Sequence, residues 1–220
     1  LFLWPAGQNG DYDYPISRSL LDRGAVFGLV GLIALVAAAW ILRKRFPLAS
    51  FGVLAALVMF SPTSSVVPIL DAVVERRLYL PMLGLVLVLA EALRCWRPRA
   101  PVAAGSAAAV LIVLAVLTFQ RNHVWADDLV FWQDVVAKSP HNGRGHFQLG
   151  VSYYGRGRCQ EAAAHYETAA RLLAPDERLH TDWALAEDCL GRPAEAIRQL
   201  ETALGIRPSA YIHAMMGMVY

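Results

Sequence analysis

Gly157-Arg158-Cys159-Gln160-Glu161-Ala162 and Gly191-Arg192-Pro193-Ala194-Glu195-Ala196 carry one pattern, displaced by 34 residues. Glu167-Thr168-Ala169 returns as Glu201-Thr202-Ala203 at the same displacement. Ala162 and Ala169 are small where two helices must approach closely, and Tyr166 and Leu200 are placed to fill the slot between them. Asn142, Asp176 and Ser209 recur at almost the same spacing, and each has a side-chain oxygen able to cap a helix start. Gly150 and Gly217 hold one position in the first and third units.

A 34-residue helix–turn–helix period with small residues at fixed places is the mark of tetratricopeptide repeats (TPRs). The expected units are 143–175 and 176–208, with 209–220 opening a third. Trp125–Lys138, before Ser139-Pro140, resembles the second helix of a preceding repeat, so 121–142 is read as a connecting helical region. The chain starts at Leu1 without Met and stops inside the repeat pattern, so it is expected to continue beyond Tyr220.

Upstream the composition changes. The chain has 220 residues, 56% of them hydrophobic and only 17% charged, too apolar for an ordinary soluble domain. All six histidines lie beyond residue 120. Four apolar runs, Ala25–Leu42, Leu48–Phe60, Met82–Leu93 and Val102–Phe119, read as transmembrane helices. The second is short for a span. Ala104-Gly105-Ser106-Ala107 opens the fourth with small residues that permit close helix contact. The fold class is therefore all-α: a polytopic bundle of four spans over 1–120, followed by a TPR solenoid over 143–220. A net charge of +2 gives no electrostatic case for nucleic acid. The bilayer is the first partner.

Arg43-Lys44-Arg45 and Arg94, Arg97 and Arg99 follow the first and third runs. The positive-inside rule makes those loops cytoplasmic. Leu1–Gly24, the loop after the second run and the repeats then face outward, into a periplasm or lumen. Glu75-Arg76-Arg77-Leu78-Tyr79-Leu80-Pro81 lies in that outward loop, against the rule. Paired guanidinium groups suit a phosphate, because each planar fork donates two parallel charge-assisted hydrogen bonds. The alternative is a pair of interfacial anchors neutralised by Glu75 and Asp71. Asp11-Tyr12-Asp13 is an Asp-x-Asp triplet. Such a triplet holds a divalent metal, or is a turn with two solvated carboxylates. No other cofactor motif is evident, and the histidines lack metal-ligand spacing.

Three features together carry a resemblance. They are Gln8-Asn9-Gly10-Asp11-Tyr12-Asp13-Tyr14-Pro15, the Glu75–Pro81 stretch, and spans leading into TPRs. The chain resembles the transmembrane and TPR-containing O-mannosyltransferases and their bacterial relatives, within the C-type polytopic glycosyltransferases. The resemblance implies transfer of a sugar from a polyprenyl phosphate to an acceptor hydroxyl on the outer face. It implies lipid-phosphate contacts at Arg76 and Arg77, with Glu75 and Tyr79 beside them. It places the catalytic carboxylate upstream of Leu1, so Asp11 and Asp13 are not given that role. The rival is a non-enzymatic, membrane-anchored TPR scaffold.

Two further expectations follow from repeat geometry. Arg144, Phe147, Tyr154, Arg178 and Asp188 should face the groove lined by first helices, where an acceptor or partner protein would lie. Cys159 should open one helix and Cys189 close its antiparallel neighbour, at the same end of the stack. In an oxidising compartment they either form a disulfide or stay as two small buried side chains. Cys95, beside Arg94, should remain reduced.

Overall fold

A computed structural model describes residues 9–12, 25–64, 79–96 and 99–219. Among the described residues there are ten helices and no strand. They are α1 (Ala25–Leu42), α2 (Pro47–Ser64), α3 (Tyr79–Trp96), α4 (Ala100–Ala126), α5 (Asp128–Lys138), α6 (Gly143–Tyr154), α7 (Cys159–Leu172), α8 (Glu177–Cys189), α9 (Pro193–Ile206) and α10 (Ala210–Val219). The chain divides into two compact units. One comprises Leu1–Gln8 and Tyr14–Phe119; the other comprises Asn9–Asp13 and Gln120–Tyr220.

In the first unit α1 is apolar from end to end and leaves Phe27, Ile33 and Ile41 exposed. It closes in a turn where Arg43 donates from Nη1 to the Trp40 carbonyl at 2.7 Å and lies over the Trp40 ring. α2 and α3 form the closest pair. Gly52 and Gly84 meet backbone to backbone: a Cβ on Gly52 would stand 2.5 Å from the Gly84 carbonyl oxygen, and one on Gly84 2.3 Å from that of Gly52. Glycine is required there because any side chain would push the helices apart. Leu48 lies opposite Glu91, and Ala56 opposite Gly84, so the two run antiparallel. Buried Glu91 accepts from the Leu48 amide at 2.8 Å and caps the start of α2. Its other oxygen holds Arg94.

The structure corrects several boundaries. α2 continues through Pro62 to Ser64. α4 runs 27 residues, to Ala126, so Trp125 ends that helix instead of opening the next. Among the described residues α4 is the one helix long and apolar enough to cross a membrane, and α1 and α2 hold shorter apolar stretches, Val26–Leu42 and Pro47–Ser61. Its Gly105 meets nothing within 4 Å, and none of its residues is buried. Among the described residues of the first unit, the close glycine contact is the one between Gly52 and Gly84.

The second unit stacks helices in sequence order. Asp127, Asn142 and Asp176 each cap a helix with a side-chain oxygen. The Ser209 hydroxyl accepts from the Tyr211 amide at 3.2 Å. α7 and α9 lack such caps. Each follows a glycine at φ +71°, Gly157 and Gly191. That left-handed conformation turns the chain sharply between paired helices and is strained for any other residue. Ala162, Ala169, Ala196 and Ala203 are wholly buried. So are Tyr166 and Leu200, at 1% and 0% exposure, which wedge between α6 and α7 and between α8 and α9. The two wedges differ in size, and so do the residues facing them. Gly150 faces Tyr166, with a Cβ there only 2.6 Å from the ring. Its counterpart 34 residues on, beside the smaller Leu200, is Ala184.

Candidate functional site

Glu75, Arg76 and Arg77 lie outside the described residues, as does Asp13. Tyr79 begins α3, and its side chain is likewise outside them. What the structure describes is the connection's two ends, the C-terminus of α2 and the N-terminus of α3, joined by residues 65–78.

Asp11 is held in an unexpected place. The sequence assigned it to the membrane half, as a metal ligand or solvated turn carboxylate. Residues 9–13 instead belong to the second unit. Asn9 is 3% exposed and donates from Nδ2 to the Ser139 hydroxyl at 2.8 Å. The Asp11 carbonyl accepts from Asn142 Nδ2 at 3.2 Å. Asp11 Oδ2 is buried 2.9 Å from Arg144 Nε, as an ion pair. Among the described residues no group of three or more His, Cys, Asp or Glu side chains is gathered as a metal site.

The groove candidates fall in two regions. Arg144 is engaged with Asp11. Phe147 and Tyr154 are half-buried against the α6–α7 core, Phe147 with its ring centroid 5.9 Å from that of Tyr166. Arg178 and Asp188 are exposed on α8. Arg178 lines a groove of about 430 Å³ with Thr181, Asp182, Arg207 and Tyr211, between the starts of α8 and α10. Burial pushes the Asp182 carboxyl above its ordinary range. The Arg178 charge opposes that shift, and Asp176 adds to it. Arg207 pairs with Glu177 at 3.1 Å on the rim. The groove thus offers both a cation and a partly buried carboxylate. Cys159 and Cys189 are joined as a disulfide with Cα atoms 6.1 Å apart, tying the start of α7 to the end of α8. Cys95 is exposed and in no disulfide, its thiol donating to Glu91 Oε1 at 3.9 Å.

A polar pair inside the first two repeat helices was not foreseen. His146 Nδ1 lies 3.0 Å from His165 Nδ1, and His146 Nε2 lies 3.1 Å from the Pro140 carbonyl. A carbonyl only accepts, so His146 carries its hydrogen on Nε2 and its Nδ1 accepts a hydrogen bond donated by His165 Nδ1–H. Tyr153 stacks on His165. The corresponding pair 34 residues on is His180 with Gln199, at 2.8 Å. The signal was present in the sequence: His146 and His180 share one repeat position, and His165 and Gln199 another. Burial, then the neighbouring His146, push the His165 pKa below its ordinary value, with Glu161 opposing. A histidine held neutral by folding leaves stability intact above the ordinary value of 6.5 and removes it as pH falls toward the lowered one. The urea midpoint of the second unit's unfolding is therefore expected to drop between pH 7.5 and 5.5. His165→Gln, which copies the second pair, should flatten that dependence; an equal drop in the variant would assign the loss to other groups.

At the end of α4, Arg121 pairs with Asp134 at 2.7 Å, and Lys138 holds the same carboxylate. Burial works against ionisation of Asp134, but hydrogen bonds from Lys138 and Arg121 keep its pKa below the usual range. This network fixes α5 against the end of α4.

No protein-family model matches the chain. It is 26% identical over 157 residues to Protein O-mannosyl-transferase Tmtc3 of Drosophila melanogaster, covering 69% of this chain and 17% of that protein. It is 29% identical over 105 residues to Protein O-mannosyl-transferase TMTC1 of Homo sapiens, covering 46% of this chain and 12% of that protein. The chain thus spans less than a fifth of either relative's length. In both matches, what the chain is similar to is part of a protein O-mannosyltransferase.

Proposed function

We propose that this chain is the membrane and TPR portion of a glycosyltransferase that moves a sugar, mannose on the relatives' names, from a polyprenyl-phosphate donor to a protein hydroxyl on the extracytoplasmic face. The observation that carries the reading is the 157-residue similarity to an O-mannosyltransferase. In this reading Arg76 and Arg77 hold the donor phosphate, with Glu75 and Tyr79 beside them, and the groove lined by Arg178 receives the acceptor protein. The catalytic carboxylate belongs to a part of the enzyme outside this sequence.

A four-span topology is supported by a parity argument. Asn9 and Asp11 bond to Ser139, Asn142 and Arg144. If α4 crosses a membrane, the chain before α1 and the chain after α4 must still end on one side. The antiparallel α2–α3 pair contributes two crossings or none. An even total then requires α1 to cross as well, and its 18 residues span about 27 Å, close to a bilayer's hydrocarbon core. When α2 and α3 cross too, their 65–78 connection faces the same side as the repeats. The Cys159–Cys189 bond favours an oxidising compartment on that side.

The test is transfer by the full-length protein. Arg76→Ala and Arg77→Ala should each slow sugar transfer roughly 10–100-fold, the worth of charged hydrogen bonds to a phosphate. The fold of the second unit should be unchanged. Wild-type rates in both variants would remove the phosphate role. Absence of any transfer by the wild-type protein would favour the scaffold reading.

A further inference from the structure

We propose that Phe131, Ser139, Asn142 and Arg144 form a recognition surface whose ligand is the chain's own Asn9-Gly10-Asp11 segment, making residues 9–12 an intramolecular strap. The inference does not rest on the glycosyltransferase reading.

Each strap residue is selected by a different contact. Asn9 is almost fully buried, and its amide reaches the Ser139 hydroxyl. Gly10 lies on the Phe131 ring, so close that a Cβ would stand 2.1 and 2.3 Å from two ring carbons. Phe131 has little room to retreat, because Trp125 and Trp132 pack on it with centroids 4.7 and 4.9 Å away. Any residue but glycine therefore displaces the strap or breaks the aromatic cluster. Asp11 presents its carboxylate to Arg144 and its carbonyl to Asn142.

Asn142 explains why the strap binds the first helix pair. Its Oδ1 caps α6 by accepting from the Gly145 amide at 2.8 Å, while its Nδ2 donates to the strap. An amide does both; an ionised carboxylate cannot. The matching residue 34 positions on is Asp176, which caps α8 through its carboxylate. An ionised Asp has no donor for a strap carbonyl and would repel Asp11. Arg178 repeats Arg144, but Asp176 cannot repeat Asn142. The surface is thus specific to one end of the stack and to an Asn-Gly-Asp segment. Closing a loop of some 130 residues costs entropy that grows only with the logarithm of length. A few buried contacts suffice to hold the strap in cis.

The test is cross-linking in the full chain. Asn9→Cys with Ser139→Cys removes one of the strap contacts and leaves those at Phe131, Asn142 and Arg144. A short bis-methanethiosulfonate should join the two thiols in most molecules. Adding Gly10→Val, or Asn142→Asp, should lower the ratio of cross-linked to uncross-linked chain after a brief pulse of reagent roughly fivefold, the worth of one lost contact of about 1 kcal/mol. Gly105→Val, at a glycine with nothing within 4 Å, should leave it unchanged. Asn142→Asp keeps the helix cap, and an unchanged far-ultraviolet circular dichroism spectrum with a cooperative urea transition reports that each variant is folded. Failure of the folded parent to cross-link, or cross-linking at the parental level in both the Gly10→Val and Asn142→Asp variants, would overturn the proposal.

Discussion

Tyr166→Ala is expected to destabilise the second unit by about 3–5 kcal/mol, the usual cost of emptying a buried aromatic site. Tyr166 is 1% exposed. Its phenol is pushed well above the ordinary range, chiefly by burial, so it stays neutral and packs as an apolar wedge. It touches both helices of the first pair and contacts reach Leu179 of the next helix through the same core. The cavity cannot collapse easily, because the glycine turn at Gly157 and the caps at Asn142 and Asp176 fix the helix ends. A second substitution separates wedge volume from general damage. Tyr166→Leu alone should cost less than the alanine variant and still leave a gap above Gly150. Adding Gly150→Ala copies the Ala184–Leu200 arrangement of the second pair and should recover part of that loss. Urea unfolding followed by near-ultraviolet circular dichroism measures all three. A Tyr166→Ala cost below about 1 kcal/mol, or additive losses in the double variant, would mean that the ring does not set the α6–α7 spacing.

Removing the Cys159–Cys189 bond is expected to cost about 3–4 kcal/mol in the chain-entropy model for a bridge across 30 residues. The bond joins two helix pairs, not two ends of one pair. Its loss should therefore loosen α8 from α7 more than α6 from α7. Cys159→Ala with Cys189→Ala, or reduction of the wild-type chain, should lower the urea midpoint to the same degree. Amide exchange should rise first near Leu179 and Ala186, which close the contact between the pairs. Cys95→Ser, a change at an exposed thiol, should leave the midpoint where it was. If reduction has no effect on stability, the bridge is incidental to packing, and the argument from it to an oxidising compartment weakens.

How legible these features were depended on how local their causes are. The repeat helices were readable because a helix cap, a glycine turn and a small residue at a crossing act within one or two turns of chain. Asn142, Asp176 and Ser209 cap from their own side chains, and Gly157 and Gly191 take positive φ for reasons of covalent geometry. Apolar runs were readable for the same reason, but their ends were not. Pro62 in α2 and Trp125 in α4 look like boundaries by local propensity, yet the helices pass them.

The sequence alone determined an all-helical chain, the 34-residue spacing of its second half, the apolar character of its first, and the glycines, caps and alanines that each repeat needs. These follow from backbone sterics and side-chain size, which every residue carries with it. Only the tertiary structure decided which distant residues meet. Gly52 met Gly84, and Gly105 met nothing. Asp11, read as a solvated or metal-binding carboxylate, met Arg144 more than a hundred residues away. Such contacts depend on how whole helices pack and on what surface that packing leaves open. No periodicity in the chain encodes them, because the partners lie in segments whose local conformations are independent of each other.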